Sequence, residues 1–102
     1  MDHATQAICL TIVTESVLEA RLVEDLRRAG ASGWTITAAW GRGPRGMRAS
    51  EIEGGNIRVE TLVSPDVADR IWAELAADYF DDYALTAWSY PVQVARADRY
   101  LG

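Results

Sequence analysis

Asn56-Ile-Arg-Val-Glu-Thr-Leu-Val63-Ser64-Pro65 carries the reading of the fold. Ile57, Val59, Thr61 and Val63 alternate with Arg58 and Glu60, the period of a strand with one face on a core. Ser64 then offers an N-cap oxygen, and Pro65 presets the φ of a first helical position, so a helix follows. Its apolar stripe is Val67, Ala68, Ile71, Trp72, Leu75, Ala76 and Tyr79. A strand running straight into a helix is half of a repeated pattern, and the other half lies upstream.

There, Ala7 to Val13 is apolar on both faces, with Ile8, Leu10 and Ile12 opposite Cys9, Thr11 and Val13, which predicts a central strand buried on two sides. Ser16 and Glu19 have capping-box spacing, and Leu18, Leu22, Leu26 and Ala29 recur at helical intervals up to Gly30. A helix over 17–29 follows. Thr35 to Trp40 is a second strand. Downstream of the second helix, Ala84 to Tyr90 is a fourth, which Pro91 is expected to interrupt, leaving Val92 to Ala95 as a short edge strand. The order β-α-β-β-α-β is the ferredoxin-like α+β arrangement, an antiparallel sheet with two helices on one face, in a single domain over 1–102. Its other face needs cover. The two-sided first strand and the Trp34 and Trp40 pair point to a second subunit as that cover.

The chain has 102 residues and a net charge of −5, and all ten of its basic residues are arginine. An acidic chain of this kind is not built for duplex nucleic acid, which wants a broad basic face. Arginines gathered in one place on an acidic body suit a small anion. They are gathered between Gly41 and Gly55, where Gly41-Arg-Gly-Pro-Arg45-Gly-Met-Arg48 brings guanidinium forks beside glycines that let the backbone approach a phosphate or carboxylate. This connection is long, has no apolar periodicity, and belongs to the class of loops that are functional or mobile. Cys9 stands alone, which excludes an internal disulfide and a cysteine metal cluster. No signal-peptide pattern or membrane-length apolar stretch is evident, so the expected location is cytoplasmic, without membrane insertion.

Gly30, Gly33, Thr35, Thr37, Gly41 and Gly43, at these spacings, resemble the end of the first helix, the second strand and the loop base of PII signalling proteins. Asn56 to Val63 with its capped helix is similar to the strand and helix beyond the PII T-loop, here 41–55. The spaced arginines of 41–48, with Phe80-Asp-Asp82-Tyr83-Ala84, bring the likeness nearest to the PII-like proteins tied to bicarbonate uptake and carboxysomes. The resemblance implies a homotrimer with adenine nucleotides in three clefts between subunits, where one loop base meets a neighbour's turn at Asp81 to Leu85. It implies that Thr35 and Gly41 line the adenosine end, with Gly43 beside them and backbone groups of Ala84 and Leu85 around sugar and base, while Arg42 reaches phosphate or bicarbonate. Arg45 and Arg48 would reach phosphate or bicarbonate, and Arg99 would close the site. No cofactor is implied, and the downstream partner would be a bicarbonate transporter or carboxysome-related protein.

Departures from the PII pattern sharpen this. No lysine is present to bind ATP phosphates, so ADP or AMP is favoured; no tyrosine lies between Gly41 and Gly55 for uridylylation. Leu85 stands where glycine is common among the bicarbonate-linked relatives, and no cysteine-bearing tail precedes Gly102. Gly41-x-Gly43-x-x-Gly46 has dinucleotide-fingerprint spacing, but Pro44 lies inside it and no helix pattern follows. The four tryptophans read as core or subunit contacts, Asp81 and Asp82 as a helix-ending turn, and His3 as a surface residue. The alternatives are a small ferredoxin-fold enzyme of monooxygenase or isomerase type, and a trimeric metal-tolerance protein. Neither has its catalytic or ligand constellation in the sequence, and a non-enzymatic role is expected.

Overall fold

The computed structural model describes residues 4–41 and 55–101. Strand β1 (Ala4–Glu15) leads through a 3-10 turn at Ser16–Leu18 into helix α1 (Glu19–Ala29). Strands β2 (Thr35–Ala39) and β3 (Asn56–Val63), helix α2 (Pro65–Asp78) and strand β4 (Thr86–Ala95) follow, and a 3-10 turn at Ala97–Arg99 ends the described chain. The strands lie in the order β2-β3-β1-β4, and every neighbouring pair is antiparallel. This is the ferredoxin-like arrangement expected from the element order. No helix among the described residues is long and apolar enough to cross a membrane.

Alternation sorts each strand's side chains between two faces. Leu10 and Ile12 of β1, with Ile57, Val59 and Val63 of β3, meet Leu18, Leu22 and Leu26 from the first helical segment and Ala68, Ile71, Leu75 and Tyr79 from the second. Each of these is buried, and together they are the core. On the opposite face, which no helix among the described residues covers, Ala7, Cys9 and Thr11 are also buried. β1 is thus central and two-sided, as its sequence predicts. Around it on that face stand Arg58 and Glu60, whose Nη2 and Oε2 lie 3.5 Å apart, and Trp88, with Arg58 5.6 Å over its ring. Trp88 and Tyr90 remain 39% and 43% exposed.

The helix ends show why the chain turns where it does. Ser64 Oγ accepts from the Val67 amide at 3.3 Å, with Pro65 in the first turn, as the sequence predicts for α2. Gly30 closes α1 at φ 114°, a left-handed conformation that L side chains rarely adopt. Its amide donates to Arg27 O at 3.1 Å, and that of Ala31 to Leu26 O at 3.0 Å, satisfying carbonyls that the helix end leaves open.

Three local expectations need correction. The Ser16 and Glu19 capping box does not open α1. A 3-10 turn intervenes, the N-cap residue is Leu18 without a side-chain cap, and the Ser16 amide donates instead to Gly55 O at 3.0 Å. Pro91 does not interrupt the fourth strand, which runs unbroken from Thr86 to Ala95 with Pro91 opposite Ile8. β4 lies at the sheet's edge, where a residue lacking an N–H is tolerated. Trp34 and Trp40 do not form a pair awaiting cover: Trp34 packs against the core, whereas Trp40 is 70% exposed.

Candidate ligand site

The sheet end at which β2 and β1 finish is also where β3 and β4 begin. Gly41, Gly55, Asn56, Ala84 and Leu85 gather there. Gly55, at φ 70°, brings the chain into β3 and lends its carbonyl to Ser16. Asn56 Oδ1 is buried and has no hydrogen-bond donor among the described residues. Such an acceptor costs about 1–3 kcal/mol unless something supplies a donor.

The turn between α2 and β4 is fastened from several sides. Amides of Asp82 and Tyr83 donate to Tyr79 O at 3.2 and 3.0 Å, and Phe80 N donates to Leu75 O at 3.0 Å. Thr14 Oγ1, buried near the end of β1, donates to Ala84 O at 3.4 Å, and Leu85 packs against the core. From α1, Arg21 donates through Nη1 to the Tyr83 hydroxyl at 3.0 Å and through Nη2 to Asp78 O at 3.3 Å. Its guanidinium also lies 4.5 Å from the Tyr79 ring centre.

Beneath that contact the two helices share a buried polar pair. The Tyr79 hydroxyl, on a residue with no exposure, donates to Asp25 Oδ2 at 2.5 Å, and Arg28 Nη2 donates to Asp25 Oδ1. Burial first, then the hydrogen bond to Asp25, pushes the Tyr79 hydroxyl well above the ordinary tyrosine range, so it stays a donor at any physiological pH. Outside this pair, a cleft of about 580 Å³ between the helices is lined by Asp25, Arg28, Ala29, Arg70 and Glu74, among others. It lies on the helical side, away from the loop base.

Sequence-predicted residues fall into two groups within one chain. Gly41 lies with Ala84 and Leu85 at one end of the sheet, though on opposite edge strands. Thr35 begins β2 at the other end, opposite Glu60 and exposed on the helix-free face. Arg99 is exposed in the closing 3-10 turn near it, because Ser32 Oγ, just before β2, donates to Arg99 O at 3.4 Å and Tyr100 O at 3.0 Å. Thr35 and Gly41 are thus separated by the length of β2, about 20 Å of extended chain. Arg42, Gly43, Arg45 and Arg48, with most of the expected 41–55 loop, lie outside the described residues.

Residues 8–99 match the family model for nitrogen regulatory protein P-II. The chain belongs to the P-II family.

Its similarity to solved P-II-like structures runs through nearly all of its length. A protein from Thermus thermophilus, described as a PII-like signalling protein, is 49% identical, with a TM-score of 0.84 over 98% of this chain and 99% of the other. CPII, a nitrogen regulatory PII-like protein from Thiomonas intermedia solved with ADP, AMP and bicarbonate, shares 18% identity but superposes at TM-score 0.86, over 97% of each chain. B. subtilis GlnK shares the fold more distantly, at 16% identity and TM-score 0.62 over 86% of each chain. Among the described residues of this P-II chain, no group of three or more His, Cys, Asp or Glu side chains is placed to hold a metal ion.

Sequence reasoning passed over the polar contacts that organise this P-II chain's turn. Asp25 falls one helical turn beyond Leu22 on the apolar stripe, and Tyr79 ends the stripe of α2. An acid on one buried stripe and a tyrosine hydroxyl on the facing one was the available signal. Arg21, on the exposed side of its helix, gave none.

Glu74, on the cleft, provides a pH test. Burial, then Asp78 and Asp25, raise its carboxyl above the usual range, and this outweighs the pull of Arg28 Nη2 at 3.5 Å, which is itself engaged with Asp25. A raised folded-state value means the folded chain holds this proton more tightly than the unfolded one. The associated stability is therefore present below the ordinary glutamate value and lost as pH climbs through the raised one. Glu74→Gln is expected to stabilise the protein slightly at neutral pH, within about 0.5 kcal/mol, and to flatten the decline in melting temperature between pH 4 and 7. Parallel melting curves for the two proteins across that range would contradict this.

Proposed function

We propose that this chain is a non-catalytic regulator that binds an adenine nucleotide, ADP or AMP in preference to ATP, with bicarbonate as a second ligand. The sites lie in clefts between the subunits of a cytoplasmic homotrimer. The observation that carries this reading is a P-II fold shared along almost the whole chain with the Thiomonas protein, whose structure holds ADP, AMP and bicarbonate.

The placement of the residues supports a site shared between copies. Gly41 and the Ala84–Leu85 segment lie on opposite edges of one sheet, so no single chain closes a pocket from them, whereas one copy's β2 edge facing another's α2–β4 turn would. An extended nucleotide lying along β2 suits the separation of Thr35 and Gly41. Its base and sugar then meet Thr35 and the backbone around Ala84 and Leu85. Its phosphates meet Arg42 and Gly43, beyond Gly41. Arg45 and Arg48 hold phosphate or bicarbonate, and Arg99 closes the far end. Beside the loop base, Asn56 Oδ1 is a buried acceptor without a donor among the described residues. The 41–55 segment is the T-loop, and a ligand that prefers one of its arrangements shifts the population presented to a partner in inorganic carbon uptake or carboxysome regulation.

Calorimetric titration with ADP, AMP and ATP, each with and without bicarbonate, tests this reading. Saturable binding near one nucleotide per subunit is expected, with affinity altered by bicarbonate and ATP bound no more tightly than ADP. Replacing Arg45 and Arg48 together by Ala should weaken binding about tenfold or more while leaving fold and assembly intact, because charge-assisted hydrogen bonds to an anion are lost. Absence of binding by every nucleotide would overturn the proposal.

A further inference from the structure

We propose that Arg21 is a positioning residue for the ligand cleft, holding the 79–85 turn in the shape that presents the Ala84 and Leu85 backbone to a nucleotide. This rests on the nucleotide reading above and adds a residue outside the 41–55 segment.

The geometry is that of a clamp. One guanidinium spans the last turn of α2 and the turn beyond it, donating to Asp78 O at 3.3 Å and to the Tyr83 hydroxyl at 3.0 Å. Asp78 O belongs to the final turn of α2, where carbonyls lack intrahelical partners, so the first bond satisfies a group that the fold leaves open. The second fixes Tyr83, the residue immediately before Ala84. Stacking reinforces both: the guanidinium carbon lies 4.5 Å from the Tyr79 ring centre and 5.4 Å from that of Tyr83, and the two rings stand 5.9 Å apart at 50°. On the opposite side, Thr14 Oγ1 holds Ala84 O. Arg21 and Thr14 together bracket the segment from α1 and from β1. Arg21 makes no ion pair of salt-bridge geometry among the described residues, where the bridging arginines are Arg27, Arg28 and Arg58. Its donors serve the turn instead of a carboxylate.

Position and exposure separate this role from general stabilisation. Arg21 lies on the surface, outside the buried core, and contacts of this kind at exposed sites contribute little to global stability. They can still decide whether a short turn keeps one conformation. Apparent affinity falls in proportion to the fraction of molecules already in the binding-competent arrangement. If losing the clamp leaves about a tenth of turns competent, ADP binding weakens about tenfold with the melting temperature almost unchanged.

The test compares the full chain with Arg21→Ala, Arg21→Lys and Tyr83→Phe by ADP titration, melting temperature, light-scattering mass and backbone hydrogen exchange. Arg21→Ala is expected to weaken ADP binding about tenfold, to speed amide exchange at 82–85 in the free protein, and to lose that difference at saturating ADP. Arg21→Lys keeps a cation near the Tyr79 ring but not the fork, so part of the affinity returns. Tyr83→Phe keeps the ring and removes the hydroxyl, and should fall between wild type and Arg21→Ala; it decides the matter if Arg21→Ala does not fold. Wild-type ADP binding matched within twofold by both Arg21→Ala and Tyr83→Phe would overturn the positioning role. Failure of the wild-type protein to bind ADP would overturn the nucleotide reading, and this role with it, so the two failures read differently.

Discussion

Leu10→Ala should lower the unfolding free energy by about 3 kcal/mol, within the range of about 2–5 kcal/mol for truncating a buried leucine. Leu10 has no exposed surface, sits midway along the central strand opposite Thr61 and Ser89, and belongs to the cluster that joins the sheet to both helices. Its removal takes away the transfer free energy of the side chain and leaves a cavity that two hydrogen-bonded neighbours prevent β1 from closing. For a domain of this size the melting temperature should fall by roughly 15 °C. Urea unfolding at fixed protein concentration would show a lower midpoint with an unchanged slope. Val17→Ala is the control, since Val17 is 80% exposed and its truncation should change stability by no more than about 0.5 kcal/mol. Equal effects at the two positions would place the core elsewhere.

Removing the donor from the buried pair between the helices should produce the next largest loss. Tyr79→Phe is expected to cost about 2 kcal/mol, because Asp25 keeps Arg28 but loses the hydroxyl 2.5 Å from Oδ2. Asp25→Ala should cost a similar amount by a different route, leaving a tyrosine hydroxyl without exposure and without an acceptor. The double variant removes both buried polar groups together. It should therefore be more stable than the sum of the single losses predicts, by about 1–2 kcal/mol, and a thermodynamic cycle of urea melts measures that coupling. Strict additivity would mean that the two side chains act independently in solution.

Local signals account for what the sequence reveals. β3 and the start of α2 fall where alternation, Ser64 and Pro65 place them, because period, cap and preset φ all lie within ten residues of one another. Expectations failed where the deciding partner is distant. Pro91 ends a strand only when its missing N–H faces a neighbour, and edge position is a property of the whole sheet. The Ser16 and Glu19 spacing suits a capping box, yet a carbonyl at Gly55 captures the Ser16 amide in a 3-10 entry. Trp34 and Trp40 flank the same strand at positions of the same parity as Ile36, yet only Trp34 packs against the core, while Trp40, past the other end of β2, is 70% exposed. At the candidate site the same division holds. Gly41 and the arginine-rich segment stand out by composition, whereas Asp25 with Tyr79, and Arg21 with Tyr83, join positions more than fifty residues apart and leave no local pattern.

The place of β1 between β3 and β4 has a consequence for synthesis. It leaves the ribosome before either neighbour, and its apolar faces must wait for both. Ile8 pairs with Val63 on one side and with Pro91 on the other, so the second partner is translated almost a full chain length later. A nascent P-II chain therefore carries an unpaired, two-sided apolar strand throughout its emergence, the kind of edge that invites association with other chains. Sheet closure depends on contacts of high sequence separation and waits until β4 has emerged.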